Sequence, residues 1–153
     1  MREEEKKELN ELLQNLIQIK SENPPGDERK VANFIKGFLS KNDICSESVP
    51  LEEGRDSLVV MLPGKEERNI TFCGHLDTVR VKEEDWSKPP FQGVIENGKM
   101  YGIGASDVKG GVASIIYTAI GCMTNKSLPL FYHLLYLFQR EFPLPVVNKK
   151  RVL

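Results

Sequence analysis

The 153-residue sequence lacks the features that mark several large classes of protein. It has three cysteines, Cys45, Cys73 and Cys122, and no Cys-x-x-Cys pair, so it shows neither a disulfide framework nor a cysteine zinc site. The longest apolar run, residues 128–138, is interrupted by His133 and is shorter than the ~20 residues of a membrane-spanning helix. These absences predict a protein without a membrane span in a reducing compartment, of which the cytoplasm is the simplest.

An excess of charge of one sign is also missing. The 21 Lys and Arg residues are balanced by 22 Asp and Glu residues, and the formal net charge is −1. This balance does not provide the basic surface of nucleic-acid-binding proteins, so no nucleic-acid partner is expected. Residues 2–8 are charged and lack the apolar segment of a signal peptide, which again favours the cytoplasm.

Periodic apolar residues predict an α/β domain. Leucines and isoleucines spaced as on one helical face predict a first helix over residues 3–20. A second apolar face predicts a helix over residues 28–41, with Asp27 as its cap. Residues 44–49 and 57–62 are predicted strands. Helices followed by strands and then by a strand–loop–helix unit favour a sheet flanked by helices.

A short apolar strand leads to the first candidate site residues. Residues 70–73 are predicted to form a strand buried on both faces, and Gly74 lets the backbone bend after it. His75 and Asp77 are two residues apart, which places both side chains on one side of a continuing strand. A neutral imidazole is a good zinc ligand, and a neighbouring carboxylate fixes its tautomer. The alternative is an inert histidine that makes local hydrogen bonds at a strand end.

The second candidate lies in a glycine-rich loop before a helix. Asn97-Gly98 is a strong hairpin signal, and the apolar residues within 112–120 predict a buried helix. Asp107 lies between them, close to the start of that helix. A phosphate-binding loop is the rival interpretation. Asp107 opposes it, because it stands where the third glycine of G-x-G-x-x-G is expected and because a carboxylate repels phosphate and suits a cation.

Three segments carry a family resemblance: Gly74-His75-Leu76-Asp77-Thr78-Val79, Trp86-Ser87-Lys88-Pro89-Pro90-Phe91, and Tyr101-Gly102-x-Gly104-x-x-Asp107-x-Lys109-Gly110-Gly111. In this order and spacing the chain resembles the M20 metallopeptidase family over roughly residues 5–120. That family includes acetylornithine deacetylases, succinyl-diaminopimelate desuccinylases, aminoacylases and glutamate-releasing carboxypeptidases. The resemblance implies the N-terminal half of a zinc-peptidase-like α/β/α catalytic domain, with the lid domain absent.

The resemblance also implies roles for particular residues. It makes His75 a zinc ligand, Asp107 the carboxylate that bridges two zinc ions, and Asp77 the residue that orients His75, with cobalt as an alternative metal. The implied reaction is hydrolysis of amide bonds in N-acyl amino acids or small peptides, by a water that zinc activates and a glutamate general base. Arg80 and Ile103 depart from the usual Pro and Arg of the family, and neither position is a metal ligand.

The resemblance ends after about Ala119. The family has a strand there that ends in two glutamates, the general base and a metal ligand. Residues 134–138 are the candidate strand, and Glu141 stands at about the place of the first glutamate. Phe142 takes the place of the second and cannot bind zinc. Glu141 is therefore the candidate general base, and a glutamate placed there by chance is the alternative.

We therefore predict two parts of the chain. Residues 1–122 are the N-terminal part of an M20-like catalytic domain, and residues 123–153 are a divergent segment, explained by a truncation or a shift in reading frame. The expected partner is a small N-acyl amino acid or peptide substrate, and the oligomeric state is open because the lid is absent. A catalytically inactive binding or scaffold fragment of the same fold is the first alternative, and a nucleotide-binding domain is the second.

Overall fold

The structure is a computed structural model that describes residues 1–62, 66–124 and 131–138, and the backbone alone of residues 66–69 and 131–138. The helices in these ranges are α1 Glu3–Gln18, α2 Glu28–Ser40 and α3 Lys109–Thr124, with a 3₁₀ turn at Glu83–Asp85. The strands are β1 Glu47–Glu52, β2 Arg55–Leu62, β3 Glu66–His75, β4 Val94–Glu96, β5 Lys99–Tyr101 and β6 Phe131–Phe138.

Four of these strands form one mixed sheet in the order β1-β2-β6-β3. β1 and β2 are an antiparallel hairpin, β6 is antiparallel to β2, and β6 is parallel to β3. Leu137 of β6 pairs with Leu58 of β2 on one side and with Gly74 of β3 on the other. The next residue of β6, Phe138, pairs with His75. The carboxyl ends of the two parallel strands therefore meet at one edge of the sheet, which is where α/β sheets bind their ligands.

The core lies between one face of this sheet and the helices. Leu58, Val60 and Leu62 alternate along β2 and belong to the same hydrophobic cluster as buried residues of all three helices. α2 packs on β2, while α3 packs on both β3 and α1. Burial of each large aliphatic side chain contributes roughly 1.5–3 kcal/mol, so this cluster is the main source of stability. The predicted α/β class is confirmed.

The prediction that residues 70–73 are buried on both faces is wrong. Ile70 and Phe72 are 39% and 41% exposed, and Thr71 and Cys73 are exposed as well. The physical reason is position, because among the described strands β3 has a neighbour, β6, on one side only. An apolar run that predicts a central strand is here an edge strand.

The predicted hairpin is confirmed in detail. β4 and β5 form a separate two-stranded sheet joined by Asn97 and Gly98, whose φ angles are +51° and +72°. Two consecutive positive φ angles are the signature of a type I′ turn, which suits the twist of a two-residue hairpin. Asp27 takes the predicted N-cap position of α2, but its side chain makes an ion pair with Lys30 in place of a cap hydrogen bond.

Two further features of the fold are the exposure of the 3₁₀ turn and the extent of α3. The acidic residues of the 3₁₀ turn at Glu83–Asp85 are all exposed, as a solvated loop requires. The predicted division of the chain after residue 122 stays a prediction, and α3 continues to Thr124. Over the described ranges, none of the helices has both the length and the apolar character needed to cross a bilayer.

Candidate metal centre

His75 is the last residue of β3, and its position depends on a close contact just before it. A Cβ atom on Gly74 would lie 2.9 Å from Cγ2 of the fully buried Val112 on α3. Only a residue without a side chain allows β3 to approach α3 this closely. The contact brings the end of β3 beside the start of α3, and therefore brings His75 beside Asp107.

The two ring nitrogens of His75 point at two different carboxylates. Nδ1 lies 3.1 Å from Oδ1 of Asp77 and 3.0 Å from the main-chain oxygen of the same residue. Nε2 lies 3.1 Å from Oδ1 of Asp107. The carboxylate of Asp77 therefore orients the ring at Nδ1, while the carboxylate of Asp107 faces Nε2, the nitrogen on the opposite side of the ring.

Asp107 reaches this position on the glycine-rich loop that follows the β4–β5 hairpin. It lies two residues before the first residue of α3, as the sequence predicted, and its side chain is 72% exposed. Gly104 has a φ of +75°, which turns the loop, and it packs against Thr78 and Lys109. The loop thus carries an exposed carboxylate to the edge of the sheet where β3 ends.

Asp77 is buried, and its two carboxylate oxygens face two different side chains. Oδ1 faces His75, and Oδ2 accepts a hydrogen bond of 3.1 Å from Nδ2 of Asn23. Burial by itself raises the pKa of Asp77, but the hydrogen bonds from His75 and Asn23 outweigh it, and the pKa is lower than its ordinary value. Asp77 is therefore held as a carboxylate, the form that accepts a proton from His75.

The same contacts act on the imidazole. The hydrogen bond with Asp77 is the largest cause that raises the pKa of His75 to about 9; burial opposes the rise, and the hydrogen bond with Asp107 adds to it. A histidine binds a metal ion as the neutral ring, so metal binding here is coupled to the release of a proton.

The pair formed by His75 and Asp107 fits a zinc ion by chemistry and by distance. Nitrogen and carboxylate ligands bound at ~2.0–2.1 Å to a tetrahedral zinc ion are about 3.3 Å apart. Nε2 of His75 and Oδ1 of Asp107 are 3.1 Å apart. Within the described ranges, no group of three or more His, Cys, Asp and Glu side chains converges as a metal site. The pair is thus a partial ligand set, and the roles assigned to its members stay predictions.

A cavity of about 240 Å³ opens beside this pair. It is lined by His75 and the two aspartates and by the apolar side chains of Val79 and Trp86, together with Ile103. The cavity therefore places an apolar wall beside a polar, anionic site, the arrangement expected of a small-molecule site.

The structure brings together three of the four predicted site residues. His75 is in direct contact with both Asp77 and Asp107. Glu141 lies outside the described residues. β6, which is the predicted strand before it, is present and ends at Phe138, in register with His75.

The sequence analysis did not predict a role for two residues near the site, Asn23 and Lys109. Asn23 precedes a Pro-Pro-Gly turn and has no local signal that points to Asp77. Lys109 is fully buried, and its Nζ donates hydrogen bonds of 2.8 Å to the main-chain oxygens of Leu16 and Ile19 at the end of α1. Burial lowers its pKa to about 8. The sequence signal for Lys109 was its place between Asp107 and two glycines. The structure shows that its positive charge lies at the C-terminal end of α1, where a helix dipole favours a basic group.

Comparison with known proteins agrees with this geometry. The sequence model described as peptidase family M20/M25/M40 matches residues 71–139, which include His75, Asp77 and Asp107. The chain is 34% identical over 124 residues to the protein named "Probable succinyl-diaminopimelate desuccinylase" of Staphylococcus aureus, and the alignment covers 80% of this chain and 30% of the relative. It is 32% identical over 133 residues to an N-formyl-4-amino-5-aminomethyl-2-methylpyrimidine deformylase of Bacillus subtilis, with coverage of 84% and 31%.

The fold is also found among solved structures. An M20 family metallo-carboxypeptidase from Sulfolobus solfataricus superposes with a TM-score of 0.77 at 22% identity, over 92% of this chain and 31% of that chain. This likeness shows a common fold. The chain spans about 30% of the length of the curated relatives that it matches. The family predicted from the three sequence segments is confirmed by these matches: residues 71–139 fit the model of peptidase family M20/M25/M40, and the relative of 34% identity is a probable succinyl-diaminopimelate desuccinylase.

Proposed function

We propose that this chain supplies part of the metal centre of a hydrolase that cleaves amide bonds in N-acyl amino acids or small peptides. In this proposal His75 and Asp107 are zinc ligands, Asp107 bridges two ions, and Asp77 orients His75. Cobalt is an alternative metal. Glu141 is the proposed general base, on the strength of its place in the sequence after β6.

One observation carries the proposal. The His75 ring has a buried carboxylate at Nδ1 and an exposed carboxylate at Nε2, each at 3.1 Å. A histidine that only satisfied a strand end would not need an exposed carboxylate at its outer nitrogen. A buried carboxylate behind a histidine is the arrangement that orients metal-binding imidazoles.

Each residue of the proposed site has a separate role. Asp77 keeps the proton of His75 on Nδ1, so that Nε2 presents its lone pair towards Asp107. Asp107, with two oxygens on an exposed side chain, is suited to share two ions. A zinc ion held by His75 and Asp107 would supply Lewis acidity, which makes bound water more acidic and a carbonyl more electrophilic. The apolar side chains of Val79, Trp86 and Ile103 line one side of the cavity and are suited to contact the apolar part of a substrate.

The substrate class is supported by the relatives. The printed names of the Staphylococcus aureus and Bacillus subtilis proteins describe removal of a succinyl and a formyl group. We propose that this chain takes part in the same kind of reaction, removal of an acyl group from nitrogen, or in hydrolysis of a small peptide. The balanced charge gives no support for a nucleic-acid partner, and the pattern of unpaired cysteines supports a cytoplasmic location.

Zinc titration of the purified metal-free chain by calorimetry tests the metal centre. We expect His75→Ala and Asp107→Asn each to weaken zinc binding at least tenfold, because each removes one ligand of the pair. Glu84→Gln removes a carboxylate from the exposed loop and serves as the control with unchanged affinity. Zinc binding that is absent from the wild-type chain, or unchanged in His75→Ala, would refute the proposed site.

A hydrolysis assay separates the enzyme from its first alternative. The chain, loaded with zinc or cobalt, is offered N-succinyl, N-acetyl and N-formyl amino acids and dipeptides. Metal-dependent release of the acyl group or amino acid that is lost in Asp107→Asn supports the hydrolase. Zinc binding that depends on His75, with no turnover of any substrate, favours a binding fragment of the same fold.

A further inference from the structure

We propose that Asn23 is a positioning residue of the metal centre, which fixes the carboxylate of Asp77 and, through it, the imidazole of His75. The proposal concerns the same site as the proposed function and rests on it for its link to zinc. It assigns a role to a residue in the loop between α1 and α2, far from the three sequence segments of the site.

The contacts form a continuous chain of hydrogen-bonding groups. Nδ2 of Asn23 donates to Oδ2 of Asp77 at 3.1 Å, Oδ1 of Asp77 lies 3.1 Å from Nδ1 of His75, and Nε2 of His75 lies 3.1 Å from Asp107. Asp77 is 5% exposed, so water does not readily replace a missing donor at its carboxylate. The Asn23 amide therefore satisfies the carboxylate oxygen that His75 does not use.

The main chain holds Asn23 in register with the site. The Asn23 N–H donates to the Thr78 oxygen at 2.8 Å, and the Thr78 N–H donates to the Ser21 oxygen at 2.9 Å. The Ser21 hydroxyl donates to the Leu76 oxygen at 2.8 Å. Three hydrogen bonds thus join residues 21–23 to the residues on either side of Asp77. They hold the main chain of Asn23 next to Asp77 independently of the bond between the two side chains.

The amide of Asn23 supplies an N–H donor that restricts rotation of the Asp77 carboxylate. A carboxylate rotates about its terminal bond, and a donor on one oxygen restricts that rotation. With Oδ2 engaged by Asn23, Oδ1 is left facing Nδ1 of His75 at 3.1 Å, beside the main-chain oxygen of Asp77 at 3.0 Å from the same nitrogen. Aspartate at position 23 has the same shape but no N–H donor, so it repels the Asp77 carboxylate at the same distance.

Proton NMR of the metal-free chain tests this role without relying on zinc. The sequence has two histidines, so few ring N–H resonances are present, and the resonance missing in His75→Gln belongs to His75. We expect the Nδ1–H of His75 to be protected from exchange in the wild-type chain. In Asn23→Asp and Asn23→Ala the signal should broaden or disappear, because Asp77 no longer holds it.

Zinc affinity is the second readout. Partners that orient a ligand typically change metal affinity 10–100-fold when they are lost, and we expect a loss of about tenfold in both Asn23 variants. Asn42→Ala is the matched control, since Nδ2 of Asn42 also donates one hydrogen bond, of 2.9 Å, to the main-chain oxygen of Phe38 at the far end of α2. It should leave both the resonance and the zinc affinity unchanged.

The outcomes separate this proposal from the proposed function. An unchanged His75 resonance and zinc affinity in both Asn23 variants overturn the positioning role, even when His75→Ala abolishes zinc binding. Loss of the resonance in both Asn23 variants of a chain that binds no zinc supports the role of Asn23 and refutes the metal centre. Unfolding of both Asn23 variants, with Asn42→Ala folded, assigns Asn23 a structural role and also overturns the proposal.

Discussion

The contact between Gly74 and Val112 yields a prediction that tests the packing which positions the site. A Cβ atom on Gly74 would lie 2.9 Å from Cγ2 of Val112 and 3.5 Å from Cγ1 of Val108. Val112 is fully buried in α3, and its branched side chain has one strongly preferred rotamer in a helix. Alanine at position 74 therefore meets an atom that does not readily move aside.

The magnitude follows from the size of the overlap. Carbon atoms in good contact are ~3.5–4.0 Å apart, so β3 or α3 must shift by roughly half an ångström. Overpacking of this kind costs about 1–3 kcal/mol. Alanine in place of glycine in a strand recovers roughly 0.5–1 kcal/mol of conformational entropy. We expect Gly74→Ala to lower the free energy of unfolding by about 1–2 kcal/mol and the Tm by roughly 2–8 °C for a chain of this size.

Urea and thermal unfolding, followed by circular dichroism, measure the effect. Gly121→Ala is the control of opposite sign, because Gly121 is exposed on α3 and has no atom within 4 Å of the added Cβ. It should stabilise the chain by up to about 1 kcal/mol through helix propensity.

A double-mutant cycle with Val112→Ala locates the strain. Val112→Ala destabilises the chain alone, but it also removes the atom that the added Cβ at position 74 meets, so the two losses should fall short of additivity by at least about 0.5 kcal/mol. A Gly74→Ala chain as stable as the wild type, or a cycle with no coupling, would contradict the packing described for β3 and α3.

Three further predictions concern other parts of the fold and the site. Lys109→Met leaves the main-chain oxygens of Leu16 and Ile19, at the C-terminal end of α1, without their donor, and it should lower the free energy of unfolding by about 2 kcal/mol after relief of the buried charge. Lys36→Met on the exposed face of α2 should change it by less than about 0.5 kcal/mol, and equal stabilities of the two variants in urea unfolding would contradict this prediction. Ile116→Ala opens a cavity in the fully buried face of α3 and should cost about 2–5 kcal/mol by the same measurement, and a loss under about 1 kcal/mol would mean that α3 does not pack as described. Asp77→Asn should weaken zinc binding 10–100-fold in calorimetry, and an unchanged affinity would remove Asp77 from the site.

The local sequence predicted the elements whose signals repeat within a few residues. The apolar stripes of α1 and α2, the Asn97-Gly98 turn and the helix after Asp107 were all predicted within a few residues of their observed bounds. Each depends on interactions between neighbours along the chain, such as side chains one helical turn apart or a two-residue turn with positive φ angles. The pairing of His75 with Asp77 belongs to the same group, because their spacing of two is itself local.

Tertiary structure alone decided which distant residues meet. The sequence indicated neither that β6 lies between β2 and β3, nor that β3 is a partly exposed edge strand of the described sheet. The bond from Asn23 to Asp77 joins residues 54 apart, and the bond from Lys109 to Leu16 joins residues 93 apart. Such contacts have no period along the chain, because they arise when strands pair and helices close over the sheet. The sequence therefore predicted the candidate ligand residues of the site, whereas only the packing of the tertiary structure determined which residues hold them in place.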